Sequence, residues 1–169
     1  MRLFRLAIPA LVLFSAVASA QAAAKWIAFE PAGDGYRVDF PGTPTVKRDT
    51  MQSRVGPAPH VEAALTAKGY SYSVELTTYA SASDPKAVLD LFANTIANAG
   101  KVRKQTPLKV GPDMARRFDV EVADGKVIDT MLVVTDGTRV YIVSCTASRG
   151  QESSASVKHF INSFALAQQ

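Results

Sequence analysis

Cysteine and histidine are scarce in this sequence, and their scarcity excludes several kinds of site. Cys145 is the only cysteine, so the chain cannot form an internal disulfide. His60 and His159 are the only histidines, and neither has a second His, Cys or acidic residue at metal-ligand spacing. A Gly-x-Ser-x-Gly nucleophile turn is missing, and Gly33-x-Gly35 precedes a predicted strand instead of a helix. We therefore expect no catalytic, metal-binding or cofactor-binding residues and no cofactor.

The apolar run near the start of the chain is short. It extends over 12 residues, from Leu6 to Val17, whereas a membrane-spanning helix needs roughly 20. Arg2 and Arg5 precede the run, and the small-x-small pattern Ala18-Ser19-Ala20 follows it. This arrangement predicts a secretory signal peptide over residues 1–22, cleaved after about residue 20–22. We expect an exported protein, periplasmic or extracellular, with no stable membrane span after cleavage.

The charge balance shows no strong excess of either sign. The chain has 19 Lys and Arg against 15 Asp and Glu, and loss of Arg2 and Arg5 leaves 17 against 15, a net charge of +2. Nucleic-acid binders usually have a large basic excess, so we expect no nucleic-acid partner. One basic cluster stands out, and it fits either a solvated strand face or a surface for anionic lipid headgroups. Its members are Lys101, Arg103, Lys104, Lys109, Arg116 and Arg117.

The first half of the mature chain predicts strands. Alternation places Tyr36, Val38 and Phe40 on one face of a strand that ends at Pro41-Gly42. The polar stretch from Thr45 to Arg54 predicts an edge strand. Two further strands are expected, after a break at Gly56-Pro57-Ala58-Pro59; they are His60 to Ala67 and Tyr70 to Tyr79.

The second half predicts another extended segment, then an antiparallel meander whose middle is apolar on both faces. The runs 131–134 and 140–143 are continuously apolar, which indicates central strands covered above and below. Cys145 shares a strand face with Tyr141 and Val143, so we expect it to be buried. Asp-Gly pairs predict type I′ turns. The segments are 102–110, 117–122, 126–135 and 138–147, with the turns at Asp124-Gly125 and Asp136-Gly137.

Two amphipathic helices are predicted. Asp84 can cap the first, Pro85 suits its first position, and Gly100 is placed as a left-handed C-terminal cap. The second begins at about Ser153. Each has an apolar stripe expected to face the core: Val88, Leu91, Phe92, Thr95, Ile96 and Ala99 in the first, and Val157, Phe160, Ile161 and Phe164 in the second.

These elements predict one domain over residues 25–166. The central strands need cover on both faces, and two amphipathic helices could provide it. The expected fold class is therefore α+β, a three-layer α/β/α sandwich with a mostly antiparallel central sheet.

Three short motifs resemble those of the PsbP-like superfamily of small exported bacterial proteins. They are Trp26-x-x-Phe29, the segment 35–44 (GYRVDFPGTP) and the segment 160–166 (FINSFAL). The superfamily is named for the extrinsic oxygen-evolving subunit of photosystem II and includes a eukaryotic Ran-binding branch. The resemblance implies an α/β/α sandwich that serves as a binding or accessory module, mostly of unknown function. No functional residues are carried over from it.

The leading functional hypothesis is a non-catalytic exported accessory or binding domain, with an unknown protein or lipid partner in the cell envelope. Two alternatives stay open. One is a small periplasmic hydrolase that uses Asp119 and Glu121, a serine or His60, although the two carboxylates also fit a salt-bridged surface. The other is a structural or stress protein of the envelope. The five tyrosines fit either a groove lining or ordinary sheet packing; they are Tyr36, Tyr70, Tyr72, Tyr79 and Tyr141.

Overall fold

A computed structural model describes residues 25–53 and 55–167, and the predicted signal peptide lies outside these residues. The described part of the chain is a mixed α/β structure dominated by antiparallel sheet. Its strands are β1 Ile27–Phe29, β2 Tyr36–Phe40, β3 Thr45–Ser53, β4 Gly56–Ala67, β5 Tyr70–Thr78, β6 Lys101–Val110, β7 Asp113–Val122, β8 Val127–Thr135, β9 Arg139–Ser148 and β10 Ala165–Leu166, and its helices are α1 Pro85–Ala99 and α2 Ala155–Ser163.

The strands form two sheets. The larger has seven strands in the order β3-β4-β5-β9-β8-β7-β6, and every neighbouring pair is antiparallel. The smaller has the order β1-β2-β10, also antiparallel. This second sheet was not predicted, because its closing strand β10 is two residues long and carries no periodicity of its own.

The prediction that β8 and β9 are central and apolar on both sides is confirmed. Successive side chains of a strand point to opposite faces of a sheet. Leu132 and Val134 belong to an apolar cluster with α2, whereas Val133 between them belongs to a second cluster with α1. Each central strand therefore contributes to two separate apolar cores.

The core on the α2 side joins the small sheet to the large one. Tyr36, Val38 and Phe40 of β2 are all buried, as their alternation predicted, and the Phe40 ring lies 5.1 Å from the ring of Phe160 on α2. The Tyr141 hydroxyl of β9 donates a hydrogen bond to the Asp34 carbonyl oxygen at 3.2 Å. Because of these contacts, β2 and α2 together cover one face of the large sheet.

Helix α1 begins as predicted but turns a different side to the sheet. Asp84 Oδ1 accepts the Lys86 amide at 3.1 Å, and Pro85 is the first helical residue. Leu89 is 1% exposed, whereas Leu91, which was predicted to face the core, is 55% exposed. The apolar residues of α1 cover a wide arc, and only one flank of it fits against β6, β7 and β8.

The helix also ends differently from the prediction. Gly100 has extended backbone angles (φ −165°, ψ 175°) instead of a left-handed cap, because the chain passes directly into β6 at Lys101. A Cβ atom at this position would lie 2.6 Å from the Glu121 carbonyl oxygen. Close approach to β7, not a positive φ, thus explains the glycine.

Two loop predictions were wrong. The segment Gly56 to Pro59 does not break the chain but forms the start of β4, paired with β3. Pairing between β4 and β5 starts only at His60, so both prolines lie where no second neighbour needs an N–H donor. Neither Asp-Gly pair forms the predicted two-residue type I′ turn. Val122 pairs with Val127, and Thr135 pairs with Val140, so four residues lie in each of the two loops.

Helix α2 is shorter than predicted. It starts at Ala155 with the Ser154 side chain as its cap, and Phe164 follows it in an extended conformation. Phe164 is nevertheless buried, since its ring stacks on Tyr36 at 5.7 Å.

Substitution of the two leucines of α1 tests the observed orientation of the helix. We expect Leu89→Ala to lower the free energy of unfolding by about 2–5 kcal/mol, because it leaves a cavity against the sheet. Leu91→Ala should change it by no more than about 0.5 kcal/mol, since that side chain is exposed. Urea unfolding followed by circular dichroism measures both values. A larger loss for Leu91→Ala would contradict the observed orientation.

Gly137 tests how the start of α1 is anchored. Its φ is +96°, its carbonyl oxygen accepts the Ser83 amide at 2.9 Å, and a Cβ atom here would overlap the Ser83 carbonyl oxygen. Gly137→Ala should therefore destabilise more than the matched control Gly69→Ala. The control has a φ of +80° and no atom within 4 Å of the added Cβ, so it bears only backbone strain of about 1–3 kcal/mol. If urea unfolding gave equal losses of unfolding free energy for the two variants, Ser83 would have moved away from the added Cβ without an energetic penalty.

Candidate binding groove

A groove lies between α2 and the outer strands β6 and β7. Its volume is about 490 Å³, and a pocket of about 260 Å³ adjoins it along the same helix. We call it the α2 groove. Its lining residues are mostly polar: Lys104, Thr106, Leu108, Arg117, Asp119, Glu152, Ser153, Lys158 and Asn162.

Strand alternation and helical spacing place these side chains. On β7, Phe118 and Val120 are buried against α1, so Arg117 and Asp119, which alternate with them along the strand, lie on the α2 side. Lys104 pairs directly with Asp119 across the β6–β7 ladder, and Thr106 pairs with Arg117. On α2, Val157, Phe160 and Ile161 are buried, which leaves Lys158 and Asn162, one helical turn apart, along the groove.

Three cations of the groove, Lys104, Arg117 and Lys158, form no ion pair with any other described residue. We call these three the groove cations. The two carboxylates of the groove are already engaged. Asp119 accepts a hydrogen bond from Thr130 Oγ1 at 3.1 Å, and Glu152 accepts from Arg103 at 2.8 Å and from the Gly150 amide at 2.6 Å.

Glu152 is held in its charged form. Backbone hydrogen bonding within its own residue is the main cause that lowers its pKa, and the hydrogen bond from Arg103 adds to it. Its charge is thus balanced by Arg103, which lies outside the groove lining. The groove cations keep a positive excess at neutral pH.

The structure divides the predicted basic cluster. Lys101 and Arg103 approach the Glu121 carboxylate at 3.9 and 3.5 Å. Arg116 points to the other side of the sheet and pairs with Asp90 of α1 at 2.8 Å. Lys104 and Arg117 line the groove, and Lys109 lines the adjoining pocket.

Sequence analysis missed Lys158. Its position four residues before Asn162, outside the apolar stripe of α2, marks it as part of the polar side of that helix. Nothing in the sequence indicates that this side runs beside β6 and β7. The packing of α2 against β2, β8 and β9 decides it.

The other candidate residues have structural roles. Glu121 contacts three cations, Lys101, Arg103 and Arg149, the last at 3.2 Å. His60 Nδ1 lies 3.1 Å from Thr77 Oγ1. His159 stacks on Trp26 at 4.2 Å between ring centroids, and its Nε2 lies 2.9 Å from Asp39 Oδ2.

Cys145 and the tyrosines belong mainly to the core. Cys145 is 0% exposed, and burial raises the pKa of its thiol to about 12, which leaves it unreactive at neutral pH. Tyr36, Tyr72 and Tyr141 are buried between the sheets and α2. Tyr70 and Tyr79 are half-buried at the rims of the two cores.

Two carboxylates that sequence analysis did not single out lie on the α1 side of the large sheet. Burial is the first cause that raises the pKa of Glu75, and Glu62 and Asp129 raise it further while His60 lowers it. Burial also raises the pKa of Asp129, although hydrogen bonds from Ser144 and Thr146 oppose the shift. Their sequence neighbours are ordinary strand residues, so only the folded sheet identifies them.

Glu75→Gln tests the burial of this carboxyl through the pH dependence of stability. A raised pKa means that the folded chain binds more protons than the unfolded chain, so stability falls as the pH rises from the ordinary pKa of 4.5 through the folded value. Glu75→Gln should remove that fall and be more stable than wild type at pH 7. The neighbouring Ser73→Ala should keep the wild-type slope. A Glu75→Gln variant destabilised equally at pH 3 and pH 7 would contradict the shift.

Two absences apply to residues 25–53 and 55–167. No helix there has the length and apolar character that a membrane crossing needs. The same residues contain no group of three His, Cys, Asp or Glu side chains arranged to hold a metal ion.

Comparison with known proteins identifies the fold of this chain. No family model matches the chain, and no curated protein matches its sequence. The solution structure of cyanobacterial PsbP (CyanoP) from Synechocystis sp. PCC 6803 is similar, with a TM-score of 0.58 and 13% identity over 87% of this chain and 95% of that chain. A crystal structure of a protein of unknown function from Pseudomonas aeruginosa matches with a TM-score of 0.41 and 12% identity, over 75% and 85% of the two chains. The likeness to cyanobacterial PsbP shows that this chain has the PsbP-like fold, as its motifs predicted.

Proposed function

We propose that this protein is a non-catalytic, exported binding domain whose α2 groove holds the headgroups of anionic lipids in the cell envelope. The observation that carries the proposal is the set of groove cations: three positive side chains around one concavity, none of them paired with a described carboxylate. The predicted signal peptide supports an exported, periplasmic location.

The chemistry of the groove suits a phosphate group. The guanidinium of Arg117 can donate two parallel hydrogen bonds to phosphate oxygens, and the ammonium groups of Lys104 and Lys158 supply point charges. Each cation near an anionic membrane surface contributes about 1 kcal/mol. Neutral hydrogen-bonding side chains lie among the cations, at Thr106, Ser153 and Asn162.

The placement of the groove also suits a surface ligand. Two of the elements that form the groove are fixed in the fold. Helix α2 is held by its buried stripe, and β7 lies inside the large sheet. Of the two strands that line the groove, only β6 is an edge strand. The backbone at Arg117 and Lys158 is thus fixed before any ligand arrives, which lowers the main-chain entropy lost on binding.

The proposed scaffold is a three-layer α/β/α sandwich. Its support is the alternation of core residues along β8 and β9, which assigns α1 to one face of the large sheet and α2 with β2 to the other. In this arrangement the α2 groove lies between the large sheet and the layer that contains α2, at the β6 edge of the sheet.

Vesicle binding tests the proposal. We expect the mature protein to bind vesicles that contain phosphatidylglycerol and to ignore vesicles of phosphatidylcholine alone. The triple variant Lys104→Gln, Arg117→Gln, Lys158→Gln should bind at least about tenfold more weakly, since each cation contributes about 1 kcal/mol. Co-sedimentation at low and physiological salt measures the affinity.

The matched control removes the same charge elsewhere. Lys25→Gln, Lys68→Gln and Lys126→Gln together also lower the net charge by three, at exposed positions outside the groove. This control should keep most of the binding. Equal losses in the two triple variants, or no binding by wild type, would refute a headgroup site in the α2 groove.

A further inference from the structure

Among residues 25–53 and 55–167, the large sheet has two open edges, and they differ in a way that bears on self-association. An open edge strand presents unpaired N–H and C=O groups to any other strand, and proteins usually block such edges with bulges, proline or charged side chains. Strand β6 has all three features. Its ladder shifts between Val102 and Lys104, Pro107 lies in its middle, and its charged residues are all cationic.

The other edge strand, β3, has neither a bulge nor a proline. It pairs with β4 over nine consecutive residues without a register shift, and it contains no proline or glycine. Eight of its nine residues are exposed. Its charges are of both signs, Lys47, Arg48 and Asp49, so they do not repel a strand by sign alone.

Strand β3 is also held rigidly before any partner arrives. Arg48 donates from both terminal guanidinium nitrogens to the two carboxylate oxygens of Asp34, each at 2.9 Å. Because Asp34 is buried beside β2, this bidentate pair fixes the strand to the rest of the fold. Little order would be lost when a second strand pairs with it.

We infer that β3 is the contact through which two copies of this chain pair edge to edge, as an antiparallel two-fold dimer. In such a pair the residue at the two-fold axis lies opposite its own copy, and the others pair symmetrically about it. Like charges directly opposite each other destabilise a strand pair. The charge pattern of β3 therefore selects among the registers.

Three registers pair seven or more residues of each strand. A centre at Asp49 places the two Asp49 carboxylates opposite each other, and a centre at Arg48 does the same with two guanidinium groups. A centre at Thr50 places no like charges opposite each other. In that register Asp49 lies opposite Met51, Arg48 opposite Gln52 and Lys47 opposite Ser53, and the two central threonines form a β-branched pair.

The dimer is independent of the proposed lipid site. Strands β3 and β6 are at opposite ends of the seven-stranded sheet, so pairing through β3 leaves the α2 groove uncovered in both copies. Vesicle binding can therefore fail while dimer formation is observed, and dimer formation can fail while vesicle binding is observed.

Disulfide trapping tests the register. Thr50→Cys should give a covalent dimer under mild oxidation, because directly opposed residues of an antiparallel pair have Cα atoms about 4.5–5.5 Å apart. Asp49→Cys is the matched control. Its two copies would be about 8 Å apart, beyond disulfide reach, and should give little covalent dimer. The native Cys145 is fully buried and should contribute no background.

Sedimentation velocity tests the association without a covalent bond. We expect a concentration-dependent dimer for wild type, at least a tenfold weaker one for Thr50→Lys, and an unchanged one for Thr45→Lys, which lies outside the paired residues 47–53. A monomer at all accessible concentrations would overturn the inference, as would equal trapping of Thr50→Cys and Asp49→Cys. A monomer whose Thr50→Cys thiol cross-links to another polypeptide would also overturn it and assign the edge to that partner.

Discussion

Burial of β8 and β9 on both faces is the constraint on which the rest of this structure depends. Val133, Val134, Val140 and Tyr141 are all buried, and they point alternately to the α1 side and to the α2 side. Neither strand could be left with one face in water without exposing a continuous apolar surface. The chain therefore has to supply two covers. Residues of α1 pack in one of the two apolar clusters, and residues of α2 and β2 pack in the other.

Polarity increases from these strands to the two edges of the large sheet, and both proposals concern the edges. At the β6 edge, half of the predicted basic cluster is matched by Glu121, Glu152 and Asp90, which leaves the groove cations as a local excess. At the β3 edge, charges of both signs and an unbroken ladder leave a strand able to pair. Neither feature follows from net charge, because both depend on which neighbours neutralise which side chains.

Much of the local structure could be predicted because its causes are local. Asp84 and Pro85 start α1, Tyr36 to Phe40 alternates into the core, and Cys145 is buried with its strand neighbours. The errors have long-range causes. Leu89 replaces Leu91 in the core because the sheet contacts one flank of a broad apolar arc, and Gly100 is needed because the backbone of β7 passes close to it.

The sequence by itself determined most of the strands, the two helices, the central position of β8 and β9 and the residues that carry charge, since hydrophobic periodicity and turn chemistry act over a few residues. Only the tertiary structure decided that β6 is the second edge, that β1, β2 and β10 form a separate sheet, and that Lys158 joins Lys104 and Arg117 around one groove. The physical reason is that β10 meets β2, and Lys158 meets Lys104 and Arg117, across more than 40 positions of the chain, with a geometry set by how α2 and the small sheet fit onto the large one.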